Sequence, residues 1–171
     1  MSDQEILDKI NALKTDYYAT NNKNVLFKKQ QKFDLASNIM QSMDMQSVLS
    51  AVIRTENSTM YVNYAVFKTV ASPEIYMDIV QYIFAKSEEL VQACGTFQVS
   101  IDLKGLTMTG LERYKGFVSL LSQKGLERGG NFLTHIDKMY VVNPPFMISN
   151  MAQILLPLVD PSVKDKIVLQ K

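Results

Sequence analysis

Apolar residues recur at three- and four-residue steps from residue 3 to 19, where Ile6, Ile10, Leu13 and Tyr17 fall on one side. This spacing predicts an amphipathic helix with Ser2 or Asp3 as its cap, ended by Asn21-Asn22. A second helix is predicted from Asn24 to about Met43, turning Phe33, Ala36, Ile39 or Met40, and Met43 inward. Lys23, Lys28, Lys29 and Lys32 cluster near its start. Such a run usually marks a solvated face, and a membrane-surface patch is the less common use.

The period changes at residue 48. "VLSAVI" and "MYVNYAVF" are β-branched and aromatic runs joined by the polar "RTENST", so they read as two strands of a hairpin. Ser72-Pro73-Glu74 then offers a cap, a proline at the first helical position and an acid in the first turn. Tyr76, Ile79, Val80, Ile83, Phe84, Leu90, Val91 and Cys94 repeat with helical period up to Gly95, which stops the helix. Cys94 is accordingly expected in the core. "FQVSIDL", residues 97 to 103, alternates as a strand with Gln98, Ser100 and Asp102 on its polar face. Gly105 is expected at a tight strand-to-helix turn. The following helix carries Leu111, Tyr114, Phe117 or Val118, and Leu121, until "KGLERGGN" breaks it. "KMYVV" is the next strand, residues 146 to 158 are helical by pattern, and "KIVLQ" is a closing strand. Strands alternating with helices imply an α/β fold: a mixed, mostly parallel sheet of about five strands with helices packed on it.

Composition narrows the function. At 171 residues the chain has the size of one domain, divided by pattern into a short helical N-terminal extension (1–45) and an α/β lobe (46–171). Eighteen basic and seventeen acidic side chains give a formal charge of +1, so no global field draws nucleic acid. The single cysteine permits no intrachain disulfide, and the lone His135, read as a surface residue, completes no metal-ligand spacing. The N-terminus has no signal-peptide pattern and no apolar run is long enough to span a bilayer, so a cytoplasmic protein is expected. Asn57-Ser58-Thr59 is then a turn that matches the glycosylation pattern by chance. Gly105 to Gly110 has phosphate-loop spacing, but Leu111-Glu112 stands where Lys and Ser or Thr are needed. Gly125 to Gly130 lacks the preceding strand of a dinucleotide site. No nucleophile elbow appears, and no carboxylate pair is marked out for acid and base work. The expectation is a non-enzymatic binding module with no cofactor and no metal.

Three segments carry a resemblance. "YVVNPPF", the Met-rich segment after it and "LPLVDPSVKDKIVL" resemble the end of CRAL-TRIO lipid-binding domains, in which a strand closes on Asn-x-Pro-aromatic and a gate helix follows. Asn143, Pro145 and Phe146 match that turn, Pro157, Leu158, Asp160 and Pro161 match the turn after the gate, and Lys166-Ile167 match the start of the next strand. Asp102, Leu103 and Gly105 match the family's Asp-Leu-x-Gly strand end. The resemblance covers roughly residues 48 to 170.

Physically, Pro144 and Pro145 end the strand because proline cannot continue a hydrogen-bond ladder, so the chain leaves the sheet there. Met147, Ile148, Met151, Ile154, Leu155 and Leu158 give the next helix its apolar stripe, which is either core filler or a lipid-facing gate; methionine suits a disordered acyl chain. The resemblance implies the second. It implies binding, and transfer, of a phospholipid, sterol or similar hydrophobic ligand between sheet and gate, with Phe146, Met147, Met151, Ile154, Leu155, Leu158, Ser100 and Lys166 as ligand-binding residues and the membrane surface as a peripheral partner. Phosphoinositide-binding members carry a glutamate where this chain has Thr134, and a lysine matched here by Lys166, so weak or no preference for phosphatidylinositol over neutral or zwitterionic lipids is expected. Divergent relatives imply the alternative, a protein-interaction scaffold with a collapsed pocket that binds small-GTPase regulators or forms a homodimer.

Overall fold

A computed structural model of the protein describes residues 2–128 and 131–170. Helix α1 (Asp3–Thr20) starts on a capping box in which the Ser2 hydroxyl accepts from the Glu5 N–H and the Glu5 carboxylate accepts from the Ser2 N–H. Helix α2 spans Lys28–Gln41. The first correction follows. "VLSAVI" is not a strand: Asp44 accepts from Ser47 N–H at 3.1 Å and caps helix α3 (Met45–Val52). Val48, Leu49 and Val52, at helical spacing, turn into the core.

Strands β1 (Ile53–Glu56) and β2 (Thr59–Asn63) do form an antiparallel hairpin, but they take in much of the polar "RTENST" connection. Asn57 turns the chain with φ of 53°. The second half of "MYVNYAVF" is also helical: Asn63 accepts from Val66 N–H and caps α4 (Tyr64–Val70). Both corrections have one cause. A short polar side chain at the boundary satisfies a free helical N–H, and this outweighs the strand preference of Val, Tyr and Phe.

Pro73 opens a 3₁₀ turn (Pro73–Ile75) that runs into α5 (Tyr76–Cys94); the Ser72 side chain makes no cap bond. Gly95 ends the helix with φ of 81°. Cys94 is exposed rather than buried: the last fully buried residue of the helix is Leu90, Val91 is only partly buried, and the three residues after it are exposed. Strand β3 (Phe97–Asp102) leads through Gly105, whose φ of 84° is the expected tight turn, into α6 (Met108–Glu127). Helix α6 runs through Gly125 to Glu127, farther than the glycines suggest; Gly129 and Gly130 lie outside the described residues. Helix α7 (Asn131–Thr134), β4 (Ile136–Val142), α8 (Ile148–Leu155) and β5 (Ile167–Gln170) complete the order. The segment expected as one helix over 146–158 is shorter. Pro157 lacks an N–H to donate, and Leu156–Leu158 tightens to 3₁₀.

The sheet has the order β1-β2-β3-β4-β5, with β2 to β5 parallel. Register gives its two faces opposite characters. Ile53, Val62, Met60, Val99, Ile101, Met139 and Ile167 share the apolar face, and Phe97, Val99 and Met60 are buried in the core with Ile79, Val80, Ile83 and Phe84 of α5. The other face carries the row Arg54, Tyr61, Ser100, Tyr140, Val168, one residue from each strand and each at least partly exposed. Helices α1 and α2 contribute Ile6, Ile10, Leu35 and Ile39 to the same core.

Candidate functional site

The turn after β4 joins two of the sequence segments. Asn143, in the left-handed region with φ of 50°, donates its amide to Asp102 Oδ1 at 3.0 Å, and the same oxygen accepts from Lys104 N–H at 2.9 Å. Leu103 N–H also donates to Val142 C=O. The Asp-Leu-Lys-Gly and Asn-Pro-Pro segments therefore pin one another at the ends of two adjacent parallel strands. Asn tolerates the positive φ that lets the chain leave the sheet.

From this turn α8 lies against α6. Met151 is fully buried, whereas Phe146 is fully exposed and Met147 is 41% exposed. Leu155 is half-buried. Ile154 and Leu158, four residues apart, face a groove of about 450 Å³ together with Lys29 and Phe33 of α2, Pro73, Tyr76 of α5, and Glu112, Arg113, Lys115, Gly116 and Ser119 of α6. Two of the proposed ligand residues thus share one site. Ser100 does not join them: it lies on the open sheet face, between Tyr61 and Tyr140 in register. Lys166 is elsewhere as well, its Nζ donating to the Leu133 carbonyl, next to Thr134.

The lining combines apolar side chains with three cations and one acid. Arg113 is 9 % exposed, and its Nε has no hydrogen-bond partner among the described residues. Its guanidinium lies 5.6 Å from the centre of the Tyr114 ring. Glu112, the groove's acid, pairs instead with Lys115 at 2.7 Å. The uncompensated charge is felt nearby. The Lys32 ammonium is held below the usual lysine range by burial and then by repulsion from Arg113, Lys23 and Lys28. Lys68 is lowered by burial and by Lys14, Lys32 and Arg113. Aromatic rings of the core cluster here: Phe33, Tyr64 and Phe67 each meet Tyr114, and Phe67 and Tyr76 meet Phe117. Burial raises the Tyr64 and Tyr76 phenols to about 12, with the Tyr114 phenol adding to both shifts and Arg113 opposing them.

Sequence reasoning did not single out Arg113. A signal existed, since Arg113 stands four residues before Phe117 on the buried stripe of α6, where a charge is costly. His135, read as a surface residue, is half-buried and lines a second cavity of about 260 Å³ with Phe84, Ser87 and Phe132, beside the Arg128–Glu88 ion pair. Among the described residues no group of three or more His, Cys, Asp and Glu side chains could hold a metal. No helix among them is long and apolar enough to cross a membrane.

Comparison with known proteins adds two findings. The profile of the CRAL/TRIO domain matches residues 54–171. The crystal structure of Sfh5 is similar with a TM-score of 0.51 at 14% identity, covering 97% of this chain and 65% of that one. At that identity the likeness is one of fold, and the chain spans about 65% of the length of that relative. No curated protein sequence matches.

Proposed function

We propose, from the premise that this chain belongs to the CRAL/TRIO family, that it binds a hydrophobic ligand without chemical conversion and exchanges it at a membrane surface, with the α8 segment as its gate. The family is one of lipid binding and lipid transfer. The observation that carries the reading here is the pair Ile154 and Leu158, which the gate presents to the groove beside Phe33, Pro73 and Tyr76. A groove of about 450 Å³ is within the size range of small-molecule sites. Each methylene buried there contributes about 0.8 kcal/mol, so part of one acyl chain or a sterol ring system supplies micromolar affinity without a charged contact. Met151 anchors the gate, and Leu155 packs beside it. Phe146 and Met147, at the exposed start of the gate, touch lipid when it opens. The protein acts in the cytoplasm, peripheral to the membrane.

Native mass spectrometry of the purified protein, with and without incubation on mixed phospholipid and sterol vesicles, tests this reading. A co-purified or extracted lipid is expected for the wild type and lost in Ile154→Asp, because an apolar ligand seated against position 154 would have to strip the carboxylate of water. A folded Ile154→Asp protein that takes up as much lipid as the wild type removes the groove from consideration.

The scaffold reading keeps one observation in its favour. The apolar sheet face is filled by Phe97, Met60 and Val99, all buried under α5, so the space between sheet and helices is packed there. Wild-type protein that carries no lipid under any of these conditions favours that reading.

A further inference from the structure

The loop between α1 and α2 breaks the rule that loops are polar. Val25, Leu26 and Phe27 are consecutive and 88%, 86% and 67% exposed, the largest contiguous exposure of apolar side chains among the described residues. They are held out by hydrogen bonds rather than left loose. Asn24 Oδ1 accepts from both Leu26 N–H and Phe27 N–H at 2.9 Å. Gln31 clasps the loop from the helix, its Oε1 accepting from Asn24 N–H and its Nε2 donating to Asn22 C=O, each at 2.7 Å. None of these bonds requires an apolar side chain at 25, 26 or 27.

The charges on the loop segment have one sign: Lys23, Lys28, Lys29 and Lys32 lie in or beside it in sequence, and no acid occurs between Asp16 and Asp34. Lys23 and Lys32 both lie over the Tyr18 ring, at 5.5 and 5.6 Å, which gathers them on one side. Local helix rules are broken in the same place. Phe27 occupies the N-cap of α2 without a side-chain cap bond, and the first turn carries Lys28 and Lys29 where acids would suit the helix dipole. A chain that gives up cap and dipole at one spot, and exposes three apolar side chains there, departs from local preference on every count.

We propose that residues 23–32 form a membrane-docking tip, in which Val25, Leu26 and Phe27 enter the interfacial region of a bilayer while the lysines meet anionic headgroups. The charge pattern selects the partner: three exposed apolar side chains flanked in sequence by Lys23, Lys28 and Lys29 match an anionic lipid surface, where penetration and headgroup attraction add. Lys29 also lines the groove that holds Ile154 and Leu158, so the tip stands at the rim of that groove. The tip is argued from its own residues and does not depend on what the groove binds.

The chain contains no tryptophan, so Phe27→Trp places a single reporter at the tip. Its emission should shift to the blue with vesicles of phosphatidylcholine and phosphatidylserine, and not with phosphatidylcholine alone at the same salt. In sedimentation with the mixed vesicles, Lys23→Gln and Lys28→Gln should each weaken binding about fivefold, and added salt should weaken it further. Serine at 25, 26 and 27 together should weaken it at least tenfold, with an unchanged thermal midpoint, since these side chains touch no core. An unshifted reporter, or full vesicle binding by the triple-serine variant, overturns the proposal. Concentration-dependent dimerisation by analytical ultracentrifugation that the triple-serine variant abolishes also overturns it, because it assigns the patch to a second copy. Vesicle binding that survives in Ile154→Asp but fails in the triple-serine variant separates docking from ligand uptake.

Discussion

Replacing Gly110 by alanine sets two effects of known size against each other. Gly110 is the third residue of α6, and its buried position leaves little room: a Cβ built there meets Tyr64 Oη at 2.5 Å. The next contacts, Thr107 Oγ1 at 3.4 Å and Leu106 Cδ1 at 3.6 Å, are tolerable. The phenol cannot easily yield, since its ring is wedged between Phe67 and Tyr114 at centroid distances of 6.4 and 6.2 Å. Overpacking of this kind costs about 2 kcal/mol. Alanine in a helix gains about 1 kcal/mol over glycine. Gly110→Ala alone should therefore lose about 1 kcal/mol, a fall of roughly 2–4 °C in thermal midpoint for a chain of this size. In a Tyr64→Phe background the clashing oxygen is gone and only the propensity gain remains, so the same substitution should stabilise by about 1 kcal/mol. The coupling between the two sites is then about 2 kcal/mol, inside the range for residues in contact. Urea unfolding of the four proteins, followed by far-UV circular dichroism, measures it. Equal cost of Gly110→Ala in both backgrounds would refute the reasoning, because it would mean that the hydroxyl is not what excludes the methyl group.

Gly105→Ala should destabilise by about 1–2 kcal/mol, because φ there is 84° and an L side chain is strained in that region. Gly105→Asn should cost less, as asparagine accepts positive φ, and urea midpoints of the two variants decide it. Alkaline pH should unfold the protein through its buried phenols. Tyr64 and Tyr76 are raised to about 12 from 10.0, so the stability they contribute is complete below pH 10 and is lost as pH climbs toward 12. Lys32 and Lys68, depressed from 10.5, act in the opposite sense, adding stability as pH rises toward that value. The net fall should therefore steepen above pH 10.5, and melting curves of Tyr76→Phe across this window should show a shallower decline; a wild-type midpoint that stays flat to pH 12 rules the account out.

How far the sequence could be read depended on what each element answers to. Strand β3 and helix α5 were legible because their apolar residues follow one period over most of their length and glycines with positive φ come after them, at Gly105 and Gly95. The α3 and α4 segments were not, because their apolar residues fit either period over such short lengths. The deciding groups were Asp44 and Asn63, single side chains that cap the following turn. The mixed five-stranded sheet was readable from the alternation of strands with helices, and the family from the order of the Asp-Leu-Lys-Gly, Asn-Pro-Pro and Leu-Pro-Leu-Val-Asp-Pro segments. The groove was half readable. Ile154 and Leu158 stand out in the sequence as one apolar stripe, whereas Phe33, Tyr76 and Arg113 come from three distant elements, and only the packing of the helices brings them together. Cys94 illustrates the limit: helical periodicity predicts which way a side chain faces, not whether anything stands opposite it.

The strand order has a consequence for how the protein is made. Each strand pairs with the one synthesised just before it, so the sheet grows from one side in the order of translation and no strand has to be threaded between two already joined. The β1–β2 hairpin can close with the shortest loop, and every later addition spans only the helices between two neighbouring strands, which keeps loop closure cheap in entropy. The same order leaves a bare parallel edge on β2, then β3, then β4 as the ribosome advances, a template for unwanted pairing until the following strand arrives.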